Sequence, residues 1–384
     1  MGNKVCKQEP AQRFVVEENF TLGTGGFGTT LRAFDTLHQK YVAAKKLSLR
    51  RSAKERIEKE IAITKICQHD FVITVYAAYR KSDEMIIFME LCREELFALV
   101  ERRGTLKEAE SKRYITQLMR AVDHFHALGV VHRDLKLENV MLTKNDSVRV
   151  IDFGLAHQFK TSPGGKQSLY HCCGSRSYCA PEVLSQAGYD YKADVWSVGV
   201  ALFSMLIGFF PLEEASPSDW RYEKLKRAQA DGKCTVTTIL QWYGKEAELS
   251  SAALDILHRL LTINQDLRPT SSDVLKHAWL APEARPRHSP APPRSGELLL
   301  DTSWTDYLVS KSSKFLGSIA GGGSLDEDVF ATADAVSRRR PRYRATAVQA
   351  ELLHEQKTAV VPPPAMRRAQ RFGEEACIPT LPSH

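Results

Sequence analysis

Val131-His132-Arg133-Asp134-Leu135-Lys136-Leu137-Glu138-Asn139-Val140-Met141-Leu142 is the stretch on which the reading of the chain turns. An apolar pair opens it, an apolar strand-like run closes it, and charged residues fill the middle. The pattern predicts a short charged loop between a helix and a hairpin, anchored at both ends in a core. Asp134 can take a proton from a hydroxyl, Lys136 can neutralise a phosphoryl group in transfer, and Asn139 can hold a metal ion through its amide oxygen. Phosphoryl transfer needs these groups, because it is governed by positioning and charge neutralisation.

The neighbouring segments carry the rest of such a site. Residues 108–128 read as an amphipathic helix leading in, and Val148-Arg149-Val150-Ile151-Asp152-Phe153-Gly154 follows as strand and turn. Far upstream stands Leu22-Gly23-Thr24-Gly25-Gly26-Phe27-Gly28-Thr29-Thr30, a glycine turn between two strands. Glycines let backbone amides approach phosphates without side-chain obstruction. The spacing G-x-G-x-x-G also occurs in dinucleotide-binding folds, but those place a helix directly after it. Here 29–34 continues as strand, and Tyr41-Val42-Ala43-Ala44-Lys45-Lys46-Leu47 is another. Strand alternation sends Lys45 and Lys46 to opposite faces, so only one of them can reach a phosphate.

Taken in order, these segments resemble the eukaryotic protein kinase family, with its H-R-D-x-K-x-x-N loop, V-A-x-K strand, D-F-G turn and closing A-P-E at Ala180-Pro181-Glu182. The resemblance covers residues 14–281. It implies an α+β, two-lobed fold: a small antiparallel sheet with one helix over about 14–91, and a large, mainly helical lobe over about 92–281. ATP then lies between the lobes with Mg2+. Asp134 and Lys136 become the catalytic pair, and Lys45 is the lysine that binds the α- and β-phosphates, held by Glu60 from a helix over 52–66. Ile57, Ile61 and Ile66 are expected near one face of that helix. Asn139 and Asp152 hold the metal. Ala43, Met89, Glu90, Cys92 and Glu95 line the nucleotide beside residues 22–30, where Thr30 replaces the family's Val.

The resemblance also assigns the activation segment and its supports. Cys173-Gly174-Ser175-Arg176-Ser177-Tyr178-Cys179-Ala180-Pro181-Glu182 is similar to the substrate platform of Ser/Thr kinases, with Ser175 bonding the catalytic Asp and Lys. Arg133 stands where an activating phosphate is received, yet His171 occupies the place of the usual Thr. Ser168, Tyr170 or the more remote Thr161 remain as phosphate carriers, or none is needed. Asp194 is expected to tie down the catalytic-loop backbone, and Arg268 to pair with Glu182. Glu95 and Glu138 imply a preference for basic residues before the target Ser/Thr. Residues 271–279 close the domain, and their Leu275-Lys276-His277-Ala278-Trp279, with the C-G-S-x-x-Y-x-A-P-E segment, points to the calcium/calmodulin-dependent and AMP-activated kinase group. A pseudokinase scaffold is the alternative reading. Such chains usually lack the lysine, the catalytic aspartate or the metal aspartate, and all three stand here.

Composition narrows the remaining classes. The chain has 384 residues and a net charge of +7, yet residues 14–280 carry 36 Lys+Arg against 33 Asp+Glu, which gives no concentrated basic face for nucleic acid. Eight cysteines without C-x-x-C spacing suit a reduced, cytoplasmic compartment. The uncharged run over 195–212 contains Ser, Gly and Pro and reads as a buried helix rather than a membrane span. At the N-terminus, Gly2 followed by Asn3 resembles an N-myristoylation signal. Cys6 is a palmitate acceptor, and together with Lys4 and Lys7 it would complete a peripheral membrane anchor. Residues 282–384 hold 11 of the 17 prolines. Within them, 297–334 carry 7 acidic and 2 basic side chains, and 335–371 carry 9 basic and 2 acidic. Such a tail is expected to be disordered. Arg287-His288-Ser289-Pro290-Ala291-Pro292-Pro293 resembles an SH3-type ligand, and the basic block a calmodulin target.

Overall fold

The computed structural model describes residues 10–25, 28–49, 54–159, 168–246 and 248–281. Gly2, Cys6, Gly26, Phe27, Thr161 and the tail beyond 281 lie outside the described residues, with the acylation, SH3-type and calmodulin expectations attached to them.

Five strands form the first sheet: β1 (Phe14–Gly25), β2 (Gly28–Asp35), β3 (Lys40–Ser48), β4 (Val75–Lys81) and β5 (Glu84–Met89), all antiparallel, in the order β1-β2-β3-β5-β4. β1 and β2 pair as far as Gly25 opposite Gly28, and the long connection after β3 sends β4 to the edge beyond β5. The pleat sorts side chains to two faces. Phe14, Val42, Ala44 and Phe88 form one apolar layer, with Phe14 stacked on Phe88 at 4.1 Å. Leu47, Met85 and Ile87 form the other, against Ile57 of helix α1 (Lys54–Ile66). Lys45 lies opposite Ile87 in the register, so alternation turns it toward α1.

Helix α1 departs from the expected apolar stripe. Ile57 packs on the sheet and Ile61 is half-buried beside it, but Ile66 is 47 % exposed and Ile63 is buried instead. Nine residues make two and a half turns at about 3.6 residues per turn, which carries Ile66 to the side opposite Ile57. Ile63 instead joins the core of the helical part, so α1 touches two cores.

That second core is built around α3 (Glu108–Ala127) and α4 (Lys192–Ile207), with α2 (Leu96–Arg103) beside them. Helix α4 is the uncharged run of the sequence. It is buried nearly all round, and no helix among the described residues is long and apolar enough to cross a membrane. A small sheet of Glu94–Glu95, β6 (Val140–Leu142) and β7 (Val148–Val150) lies where the chain leaves β5.

Helices α5 (Trp220–Ala230), α6 (Thr235–Gln241), α7 (Ser251–Leu260) and α8 (Ser271–Leu275) complete the lobe. The last helix ends at Leu275. His277 accepts the Trp279 amide and starts a separate turn, Ala278–Leu280. Trp279 Nε1 then donates to Glu108 at 2.8 Å, which pins the domain's end to the start of α3.

Candidate active site

The charged loop is fixed from below. Val130–Val131 pairs with His157–Gln158, and β6 holds the other end. Between them the fully buried Asp194 accepts the backbone amides of His132 at 2.8 Å and Arg133 at 2.9 Å, and its Oδ2 also bonds His126 Nε2 at 2.9 Å. Burial alone would raise the Asp194 pKa, but His126, with the His132 ring and amide, outweighs it and holds the carboxyl below its usual range. These bonds stabilise Arg133 at φ +70°, a conformation that a non-glycine residue seldom adopts. His132 is also buried. Its Nε2 donates to Ile151 O at 3.1 Å and its ring packs on Phe153 at 4.8 Å, which couples the loop to the D-F-G turn.

Asp134 stands at the centre. Its Oδ1 accepts from Ser175 N and Ser175 Oγ, each at 2.9 Å, and its Oδ2 accepts from Asn139 Nδ2 at 3.1 Å. Lys136 Nζ lies 3.2 Å from Asp134 and donates to Ser175 Oγ at 2.8 Å. Burial lowers the Lys136 pKa, but the Asp134 and Glu138 carboxylates overcome that and the net shift is upward, so the cation is retained. Gly174 permits the close approach. At φ +97°, any Cβ would strike the Arg133 carbonyl oxygen.

On the nucleotide side, Lys45 Nζ sits 3.6 Å from Glu60, whereas Lys46 bonds Glu18 at 2.6 Å on the opposite face. Burial raises the Glu60 carboxyl, partly offset by Lys45. Ala43 is buried opposite Met89 in the register. Glu90 donates its amide to Thr74 O at 2.9 Å and turns its carboxylate to Arg149 at 2.7 Å, and burial pushes the Cys92 thiol up to about 12. Leu22 is exposed at the rim, with Gly23, Thr24, Gly25, Gly28, Thr29 and Thr30 in the β1–β2 hairpin.

Asp152 adopts φ +63° and accepts Gly154 N at 3.2 Å. The Asn139 amide nitrogen is engaged by Asp134 O at 2.8 Å and Oδ2, which leaves its oxygen for a ligand. Asn139 and Asp152 are hard oxygen donors of the kind Mg2+ takes. No group of three or more His, Cys, Asp or Glu gathers among the described residues, so phosphate oxygens and water would complete the shell.

The activation segment is held by long-range contacts. Glu182 and Arg268 form a buried bidentate pair at 2.5 and 3.0 Å. Arg133 donates to Leu155 O at 2.7 Å and to Tyr189 Oη at 3.3 Å, and Tyr189 Oη donates to the His171 carbonyl at 2.7 Å. Ser168 and Tyr170 are exposed on either side of Leu169, which bridges to Tyr189. Burial raises the Cys173 and Cys179 thiols, the reverse of what a reactive thiolate needs. Glu138 is raised by burial, with the Asp134 and Glu95 charges adding to it, so Glu95 and Glu138 form one acidic group. Glu94 is instead neutralised by Arg102 at 2.7 Å and Arg93 at 3.2 Å.

His126 and Tyr189 belong to this framework and carry no mark in the sequence, whereas Tyr178 stands there only as a position of the platform segment. Tyr178 Oη accepts Leu137 N at 3.4 Å and donates to Glu138 at 3.4 Å. Their partners lie 18 to 68 residues away, and no local pattern marks such pairs.

Comparison with known proteins gives the same picture. The protein kinase domain family matches residues 16–280. Sperm motility kinase 3A of Mus musculus is 34 % identical over 262 residues, 68 % of this chain and 48 % of that protein. Serine/threonine-protein kinase kin-29 of Caenorhabditis elegans is 33 % identical over 67 % of this chain and 30 % of its own length. CBL-interacting serine/threonine-protein kinase 9 of Arabidopsis thaliana is 34 % identical over 74 % of this chain and 63 % of its own. The chain thus spans less than two thirds of each relative. A lysine–glutamate pair under a glycine turn, an aspartate bonded to the segment serine and a matched domain over 265 residues converge: this chain belongs to the protein kinase domain family.

Proposed function

We propose that the chain is an active protein serine/threonine kinase that transfers the γ-phosphate of ATP to Ser or Thr hydroxyls of protein substrates. The observation that carries this reading is the Asp134–Ser175–Lys136 triangle, with all three contacts between 2.8 and 3.2 Å. An acceptor hydroxyl beside Asp134 gives up its proton to that carboxylate, while Lys136 balances charge on the phosphoryl oxygens. Lys45, held by Glu60, grips the α- and β-phosphates, and Ala43 with the backbone of Glu90 and Cys92 receives the adenine. Bound through Asn139 and Asp152, Mg2+ would supply neutralisation of phosphate charge. The complete set of lysine and two aspartates, in bonded positions, favours catalysis over a scaffold role. In the same reading, Gly2 and Cys6 carry acyl chains that attach the kinase to membranes.

Lys45 and Lys46 separate in a binding titration. Lys45→Met is expected to weaken Mg-ATP binding by about 10–100-fold, the size of a lost charged hydrogen bond, and Lys46→Met to leave it unchanged. Equal losses would refute the assignment.

The substrate preference follows from charge. Glu95 and Glu138 present carboxylates near Asp134, so basic residues before the target Ser/Thr are favoured. Transfer of labelled phosphate from Mg-ATP to a randomised Ser/Thr peptide library should select Arg or Lys upstream, and the Glu95→Gln/Glu138→Gln variant should lose that selection. No transfer by the full chain, with nucleotide still bound, would overturn the kinase reading in favour of the scaffold.

A further inference from the structure

Arg176 stands beside the phosphotransfer groups without touching them. It follows Ser175, whose amide and Oγ both lie 2.9 Å from Asp134 Oδ1, and it opens the short turn Arg176–Tyr178. The turn is pinned at its far end, where Tyr178 is buried and its carbonyl accepts Ser197 Oγ at 2.9 Å. The Arg176 side chain is 69 % exposed, yet its guanidinium is held in place. Nε donates to Glu214 Oε2 at 2.7 Å, and Nη2 lies 2.6 Å from the same oxygen. Glu214, in the loop between α4 and α5, is in turn fixed by Ser216 Oγ, which donates to its Oε1 at 2.6 Å. These bonds use one edge of the guanidinium. Nη1 has no partner among the described residues, and its two N–H groups are free to meet an acceptor.

The direction of the side chain separates it from the acidic group at Glu95 and Glu138. At about three residues per turn, side chains two positions apart in such a turn diverge by about 120°. Tyr178 reaches Glu138 at 3.4 Å, so Arg176 leaves the turn on another side. Other carboxylates of its loop are already engaged, since Arg221 holds Asp219 at 2.7 Å and Glu213 at 3.2 Å. A substrate with its hydroxyl at Asp134 therefore meets carboxylates on one side and a preset cation on another. In the kinase reading above, on which the assignment rests, basic residues before the target occupy the side of Glu95 and Glu138. We propose that Arg176 selects an Asp or Glu one or two residues after the target Ser/Thr, through an ion pair donated from Nη1. Extended peptide advances by about 3.3–3.6 Å per residue, which keeps both positions close to the neighbour of Ser175. Glu214 is the positioning residue: by fixing the guanidinium in advance it reduces the ordering that binding must supply.

Labelled peptides with the same two arginines before one serine, and Glu, Gln or Lys at both positions after it, test the assignment in the full chain. Their affinity is read by fluorescence anisotropy with a non-hydrolysable ATP analogue, and phosphate transfer from Mg-ATP is followed in parallel. The Glu peptide is expected to bind about two- to fivefold tighter than the Gln peptide, the size of an exposed ion pair, and the Lys peptide to bind weakest. Arg176→Gln should erase this order. Arg176→Glu should reverse it in favour of the Lys peptide, a gain that misfolding cannot produce. Equal affinities in the unmodified chain, an order that survives Arg176→Gln, or no reversal in Arg176→Glu would each overturn the proposal. Transfer without this selection removes the role of Arg176 alone, whereas selection without transfer removes the kinase reading and keeps the subsite for acidic residues.

Discussion

Asp134→Asn is expected to lower phosphate transfer by about 10²–10⁴-fold while leaving nucleotide binding and the fold in place. The substitution is nearly isosteric. The remaining side-chain oxygen can still accept the Ser175 amide, which Asp134 Oδ1 accepts at 2.9 Å, so the activation segment keeps that anchor. Two things are lost: the group that accepts the substrate proton, and the negative charge facing Lys136 at 3.2 Å. Steady-state transfer to an Arg-rich Ser/Thr peptide reads the first loss, and a nucleotide titration with a thermal melt reads the rest. A fall confined to kcat, with nucleotide affinity and melting temperature unchanged, is the expected pattern. Undiminished transfer would remove Asp134 from the chemistry, and a collapsed fold would show that its role is to hold Ser175.

Arg268→Met is expected to have the largest effect on stability, about 3–5 kcal/mol, because it strands the Glu182 carboxylate in the interior. Arg268 is buried and gives its guanidinium to both oxygens of Glu182 at 2.5 and 3.0 Å, and also to the carbonyls of Lys192 at 2.9 Å and Thr262 at 3.0 Å. An uncompensated charge is costly there, since the surrounding atoms cannot replace lost hydration. Removing both charges costs less than the sum of the single changes, so the double variant Glu182→Gln/Arg268→Met should recover part of the loss. Chemical denaturation of the four proteins in a double-mutant cycle reads the coupling directly. Additive losses would show that the pair acts through its carbonyl contacts and not through charge.

Asp134 and Arg268 differ in how far along the chain their partners lie. Asp134 was legible because its neighbours in sequence are its neighbours in function: Lys136 and Asn139 lie within five residues, and a short loop brings all three together whatever the rest of the chain does. The choice of Lys45 over Lys46 was half legible. Alternation separated the two side chains, but the face each one took depended on where α1 packs. The Glu182–Arg268 pair, 86 residues apart, was available only through resemblance. His126 and Tyr189 left no signal at all, and Tyr178 showed only as a position of the platform segment. Ile66 departs from the single stripe because its helix packs against two cores, through Ile57 and Ile63, and leaves Ile66 exposed.

The sequence by itself determined the chemistry. It set which acids, lysines and amides are present, their order along the chain, the glycine turn and the strand alternation, because these depend on covalent spacing and local backbone geometry. The tertiary structure decided which of those groups act together. Packing of α1 on the sheet brought Glu60 to Lys45, and burial of Asp194 against His126 fixed the loop backbone. Closure of the activation segment placed Ser175 on Asp134 and Tyr189 on Arg133. Contacts between residues far apart in sequence form only when the cores that carry them are packed, and that packing is a property of the folded chain as a whole.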